Sequence, residues 1–185
     1  MASIYTYPIF NELYAKIVHR YQGVIKAQLF GHTHFDHFQS IVYKGEIVGS
    51  NIMSPSMTTY GKHNPSYREY LFDSAYSLVD YNQYRVDIRN LRGIPKWEKY
   101  YSFKQLHRIP LDEPIIPQML GRINSYLLSN ESAMNEALKR FLDDNVISKW
   151  ERMFIKCTFF NASSAMEIIY CASAHVSIRL SLIHI

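Results

Sequence analysis

Residues 28–38 read QLFGHTHFDHF. An apolar run breaks at Gly31, and His32, His34 and His37 follow within six positions, in a chain that has eight histidines in all. Gly31 lets the backbone leave a strand sharply just before the first two of them. In extended backbone, residues two apart face the same side, about 6.6 Å from one another at roughly 3.3 Å rise per residue. Two imidazoles placed this way could each serve one ion of a metal pair about 3.5–4 Å apart. Asp36 or a backbone carbonyl could then take the second ring N–H of a ligating histidine. The alternative is a pair of ordinary loop histidines bonded to backbone. His37 reads either as a third ligand or as a solvated side chain. His19, His63, His107, His175 and His184 are scattered and read as structural.

Working outward from this loop, residues 9–22 carry Ile9, Phe10, Leu13, Tyr14, Ile17, Val18 and Tyr21 at helical spacing, with Gly23 placed to end the helix. Residues 24–30 (VIKAQLF) read as a buried strand running into the histidine loop. From 38 to 89 the pattern is β-rich, with a Lys44-Gly45 turn between FQSIVY and EIVGSNIM. Residues 95–107 (PKWEKYYSFKQLH) predict a helix with Pro95 in its first turn. RIPLDEPIIP, with three prolines, reads as a linker or the loop leading into a helix. Met134, Ala137, Leu138, Phe141 and Leu142 mark an amphipathic helix, and SKWERMF and SSAMEIIYC two more. The expected class is α+β: a helix, a mostly β region, then a helical region after about residue 94.

Composition narrows the function classes. The chain is 185 residues long, 48% hydrophobic and 19% charged, which suits one folded domain or part of a larger one. Fifteen tyrosines imply a tyrosine-rich core whose hydroxyls need partners. The formal charge of +4 is dispersed, and the densest basic stretch, YRVDIRNLRG, is diluted by Asp87, so a nucleic-acid polymer is not an expected partner. No apolar run reaches the length of a membrane span, and the N-terminus has no signal-peptide pattern. NES at Asn130 and NAS at Asn161 are glycosylation sequons, whereas NPS at Asn64 is excluded by its proline. Cys157 and Cys171 are the two cysteines.

AQLFGHTHFDHF resembles the GHTH metal-binding motif of calcineurin-like metallophosphoesterases. The flanks resemble acid sphingomyelinase and the acid sphingomyelinase-like phosphodiesterases in particular. SPSMTTYGKHNPSYREYLFD is similar to that family's P-S-x-T-T-Y…N-P-x-Y-R-x-Y segment, and IPKWEKYYSFKQLH to its I-P-x-W…Y stretch. The resemblance covers about residues 9–155. It implies the C-terminal part of a four-layer α/β/β/α metallophosphoesterase fold, an incomplete β-sandwich over residues 1–93. A helical C-terminal domain would follow over 94–172, with 173–185 an unassigned tail.

The resemblance further implies two zinc ions that activate a water or hydroxide for in-line attack on phosphorus, with His32 on one ion and His34 on the other. Asp36 would support those ligands from behind. Tyr60 becomes a candidate for lining the substrate mouth, with Asn64 and Arg68 holding its loop. The other family motifs, D-x-H, G-D-x-x-D, G-N-H and H-x-P-P-G, have no counterpart here, so the chain holds two metal ligands and no catalytic residue of its own. The expectation is therefore a fragment, inactive and poorly stable alone, that needs a missing N-terminal half. Its parent would hydrolyse sphingomyelin to ceramide and phosphocholine, or else nucleotides or other small phosphodiesters; a non-catalytic remnant and a simple metal-binding module are the other readings. A phospholipid substrate brings peripheral membrane contact with it. Full-length members are secreted or lysosomal, glycosylated and disulfide-bonded. By that likeness Asn130 and Asn161 would carry glycans and Cys157 would pair with Cys171.

Overall fold

A computed structural model describes residues 8–60 and 63–143, together with Arg152 and Ile155. Helix α1 (Pro8–Arg20) forms where the apolar spacing predicts it, and the Ile25 amide closes its end on the Tyr21 carbonyl at 2.9 Å. The first sheet contains β1 (Leu29–Phe30), β2 (His37–Tyr43) and β3 (Glu46–Met53), in the order β1-β3-β2. Lys44 and Gly45 both have positive φ, +52° and +83°, as a two-residue hairpin turn requires. β1 runs parallel to β3, pairing Leu29 with Ile52 and Phe30 with Met53.

The strand expected over 24–30 is much shorter than its apolar run. Upstream of Gln28 the chain diverges from β3 and opens a cavity of about 330 Å³ lined by Val18, Gln28, Gly49, Ser50, Ile115 and Pro117. Gln28 itself is held by its side chain, which accepts from the Tyr14 hydroxyl at 2.5 Å and donates to the Ser50 carbonyl at 3.2 Å.

The second sheet is antiparallel: β4 (Ser66–Phe72), β5 (Leu78–Arg85) and β6 (Glu98–Ser102), in that order. β6 replaces the middle of the helix expected over 95–107. Tyr101 pairs with Gln83 and Lys99 with Tyr84, and the Arg85 guanidinium lies 3.7 Å over the Tyr100 ring. Sheet pairing and aromatic packing outweigh the local pattern here. Only α2 (Phe103–His107) is helical. Asp80 sets its start, accepting from the Ser102 hydroxyl at 2.7 Å and the Lys104 amide at 3.0 Å. β6 lies beyond residue 93 yet completes this sheet.

The proline-rich segment leads into α3 (Pro117–Ser129), whose first turn holds Pro117. α4 (Glu131–Phe141) follows, capped by the Asn130 side chain. Phe38 and Ile52 of the first sheet meet Leu78 and Tyr81 of the second, together with Phe103 and Leu120, in one buried cluster. On the other face of the first sheet α1 contributes Ala15 and Val18 against Ile41 and Val48. Gly49 permits that approach: a Cβ there would lie 2.5 Å from Val18 Cγ1. A third cluster joins Leu127 to Met134, Leu138 and Phe141. The fold is α+β. Among the described residues, no helix is long and apolar enough to cross a membrane. SSAMEIIYC and the tail 173–185 lie outside the described residues, as does nearly all of SKWERMF.

Candidate functional site

The histidine loop leaves the end of β1 at Gly31 and enters β2 at His37. Its backbone is not extended. His32 and His34 both take left-handed φ, +80° and +65°, which costs a non-glycine residue about 1 kcal/mol or more. The two rings are therefore placed by two left-handed bends rather than by strand alternation. His32 is exposed. His34 is half-buried, and its Nδ1 is buried with no hydrogen-bond partner among the described residues. Tyr60, which is 80% exposed, meets the His34 ring edge-on at 5.9 Å. Two residues named from separate stretches of sequence thus come together.

Asp36 was expected to serve a histidine ring; its bonds go elsewhere. Arg68 Nη2 donates to Asp36 Oδ1 at 2.5 Å, and the Tyr101 hydroxyl donates to Oδ2. Arg68 also donates to Gln83 Oε1 at 2.8 Å and to the Met53 carbonyl at 3.0 Å. Its guanidinium sits 4.2 Å over the Tyr81 ring. The side chains of Arg68 and Asp36 are 1% and 10% exposed. A carboxylate this buried is satisfied best by charge-assisted bonds, and Arg68 supplies them. Burial, and then the Asp36 charge, hold the Tyr101 phenol well above its usual range, so it remains a donor.

Phe35, inside the loop, stacks on Phe141 of α4 at 4.5 Å and takes His63 edge-on at 5.0 Å. The helical region thereby buttresses the loop from one side while Arg68 secures it from the other. His37 is buried rather than solvated. Its Nδ1 faces the Phe35 carbonyl at 3.3 Å, and burial lowers its pKa to about 4. His107 packs on Phe103 at 4.5 Å and is likewise lowered to about 4 by burial.

A crevice of about 10 Å³, room for one water molecule, lies beside His34. His63, Asn64, Arg85, Arg140 and Asp143 line it with His34. Asp143 gathers the crevice wall: its carboxylate accepts from the Asn64 amide at 2.5 Å, from Arg85 at 3.0 Å and from Arg89 at 2.6 Å. Burial lowers the His63 pKa, Asp143 opposes that shift, and Arg89 and His34 add to it. The sequence reading missed His63. The available signal was its place between Tyr60 and Asn64, inside a stretch already singled out.

No family model matches the chain. Among curated proteins, sphingomyelin phosphodiesterase A of Dictyostelium discoideum is 32% identical over 75% of this chain and 26% of its own length. Human sphingomyelin phosphodiesterase is 35% identical over 52% of the chain and 17% of its own length. Bovine cyclic GMP-AMP phosphodiesterase SMPDL3A is 29% identical over 85% of the chain and 36% of its own length. The chain is a homologue of the acid sphingomyelinase-type phosphodiesterases. It spans about a quarter of the length of the Dictyostelium relative.

Among the described residues no three His, Cys, Asp or Glu side chains gather as a metal site. Two histidines fall short of the roughly three protein ligands that a catalytic zinc takes. The unpartnered Nδ1 of His34 nevertheless fits a group that waits for a donor or a metal, and imidazole suits zinc. Asn130 is half-buried, with its Oδ1 accepting from the Ala133 amide at 2.9 Å. Asn161, Cys157 and Cys171 lie outside the described residues.

Proposed function

We propose that this chain is the C-terminal part of a zinc-dependent phosphodiesterase of four-layer α/β/β/α architecture, in which His32 binds one zinc and His34 the other. The complete protein hydrolyses sphingomyelin to ceramide and phosphocholine. The observation that carries this reading is the buried, unpartnered Nδ1 of His34 in a doubly left-handed loop. The names and spans of the relatives give the substrate class its support. When bound, zinc supplies Lewis acidity and neutralises charge at the phosphoryl group. This chain's own residues position: Asp36, Arg68 and Tyr101 hold the downstream end of the loop, and Tyr60 flanks His34 at the substrate mouth.

The remainder of the enzyme has a surface to complete. α1 exposes Ile9, Phe10, Leu13 and Ile17 on the face away from its sheet, Tyr21 is exposed just past its end, and among the described residues β1 pairs on one side only. An apolar helix face beside an open parallel edge suits further α/β layers. The reading also carries a secreted or lysosomal parent, glycans on Asn130 and Asn161, and a Cys157–Cys171 bridge, which peptide mapping of secreted material checks.

The deciding experiment compares the chain alone with the chain fused behind the part of the Dictyostelium relative that precedes the matched segment, each with zinc and a chromogenic phosphodiester. The chain alone is expected to be silent. The fusion is expected to turn over, with loss of activity on His32→Ala or His34→Ala. Turnover indifferent to both substitutions would refute the ligand assignment. A second substrate class, nucleotides and other small phosphodiesters, is favoured by the wider span of the bovine cyclic GMP-AMP phosphodiesterase match. Parallel assays on sphingomyelin and a cyclic dinucleotide separate the two.

A further inference from the structure

Residues 88–99, the end of the β5–β6 connection and the first two residues of β6, are exposed throughout. Their sequence, IRNLRGIPKWEK, places an apolar side chain at every third position: Ile88, Leu91, Ile94 and Trp97. Ile94 is 85% exposed. Arg92, Lys96 and Lys99 lie between and beside them and form no ion pair among the described residues. A connection this long in a folded chain is commonly functional. Exposed aliphatics interleaved with cations do not serve the core.

The loop is held rather than loose at its base. The Asp87 carboxylate accepts from the Arg89 and Asn90 amides, each at 3.1 Å, and the Ile88 amide donates to Asn64 Oδ1 at 3.0 Å. At its far end Trp97 packs edge-on to Tyr67 at 4.9 Å, and Tyr67 stacks on Tyr84 at 4.8 Å. Trp and Tyr rings are the side chains that favour the lipid–water boundary, and unpaired Lys and Arg favour acidic headgroups. Asp87 is consumed in the turn, which leaves Glu98 as the acidic side chain against three cations.

We propose that residues 88–99 are a membrane-docking loop: Leu91, Ile94 and Trp97 enter the interfacial region of an anionic bilayer, and Arg92, Lys96 and Lys99 contact its acidic headgroups. Its stem reaches the crevice beside His34, because Arg89 donates to Asp143. A bound bilayer would therefore lie near the candidate site. The proposal extends the phospholipid reading above but is read by binding, so the two fail separately.

Sedimentation of the full chain with phosphatidylserine–phosphatidylcholine vesicles, and with phosphatidylcholine alone, tests it. Binding to the acidic vesicles is expected, weakened by salt and at least about fivefold by Arg92→Glu with Lys96→Glu. Leu91→Ser with Ile94→Ser is expected to weaken it comparably, whereas Ile9→Ser with Ile17→Ser on α1 leaves it unchanged. In a Trp150→Phe background, Trp97 emission is expected to shift blue and to be quenched by brominated lipid. The proposal is overturned by no binding to acidic vesicles, by binding indifferent to lipid charge, by loss through the α1 pair instead of the loop, or by unchanged Trp97 emission. Vesicle binding without a reconstituted phosphodiesterase would sustain the loop and remove the enzymatic reading.

Discussion

Arg68, on β4, reaches the Asp36 carboxylate at 2.5 Å and closes the histidine loop against both sheets. The pair is buried, and each remaining guanidinium bond goes to a different element: Gln83 on β5, Tyr101 on β6 and the Met53 carbonyl at the end of β3. The side chain that secures the loop therefore also ties the first sheet to the second.

Arg68→Ala leaves Asp36 buried without its counter-charge, at an expected cost of about 3–5 kcal/mol by urea unfolding. The double substitution Arg68→Met with Asp36→Leu is expected to recover most of that, since the penalty is the uncompensated charge. If Arg68→Ala changes stability by less than about 1 kcal/mol, the strut assigned to this pair does not exist.

Gly49→Ala places a methyl 2.5 Å from Val18 Cγ1 on α1, where a β-branched side chain that is 1% exposed has little room to yield. The expected loss is about 1–3 kcal/mol. Val18→Ala in the same background is expected to relieve part of it, and thermal melts of the two variants decide.

His37 and His107 set a pH dependence. Burial lowers both from an ordinary 6.5 to about 4, so between those values the unfolded chain binds protons that the folded chain does not. Stability is therefore full above about pH 6.5, falls as pH drops, and levels near pH 4. The two histidines together remove a few kcal/mol over that window. Melting temperatures at pH 7 and pH 5 check the sign. His107→Phe, which keeps the packing and removes the titration, is expected to flatten the slope.

Asn130 separates two roles. As the cap of α4 its side chain accepts from Ala133, so Asn130→Ala is expected to cost about 1 kcal/mol by denaturant unfolding. Asn130→Asp keeps the cap and destroys the sequon. Unmodified protein of the aspartate variant is expected to match the parent chain in stability, while secreted material is expected to lose one glycan by mass.

Much of the fold was legible in local pattern. Helix α1, the Lys44-Gly45 hairpin, β4, β5 and α4 follow from periodicity and turn chemistry, which act within a few residues. Two elements were misread, and both depend on distant partners. β6 exists because β5 offers a ladder and Arg85 offers a cation for Tyr100. β1 is short because the chain before Gln28 turns away from β3.

The candidate site divides along the same line. The sequence by itself marked the candidate residues, since GHTH and the TTY and N-P-x-Y-R segments are local and ordered, and the resemblance rests on them. Only the tertiary structure decided how they are placed and what they bond. It set His32 and His34 by left-handed bends and brought Tyr60 to His34. It gave Asp36 to Arg68 instead of to a histidine, and it drew His63 and Asp143 to the same crevice. Charge pairing and burial are settled between side chains far apart in sequence, and a pattern read along the chain does not contain them.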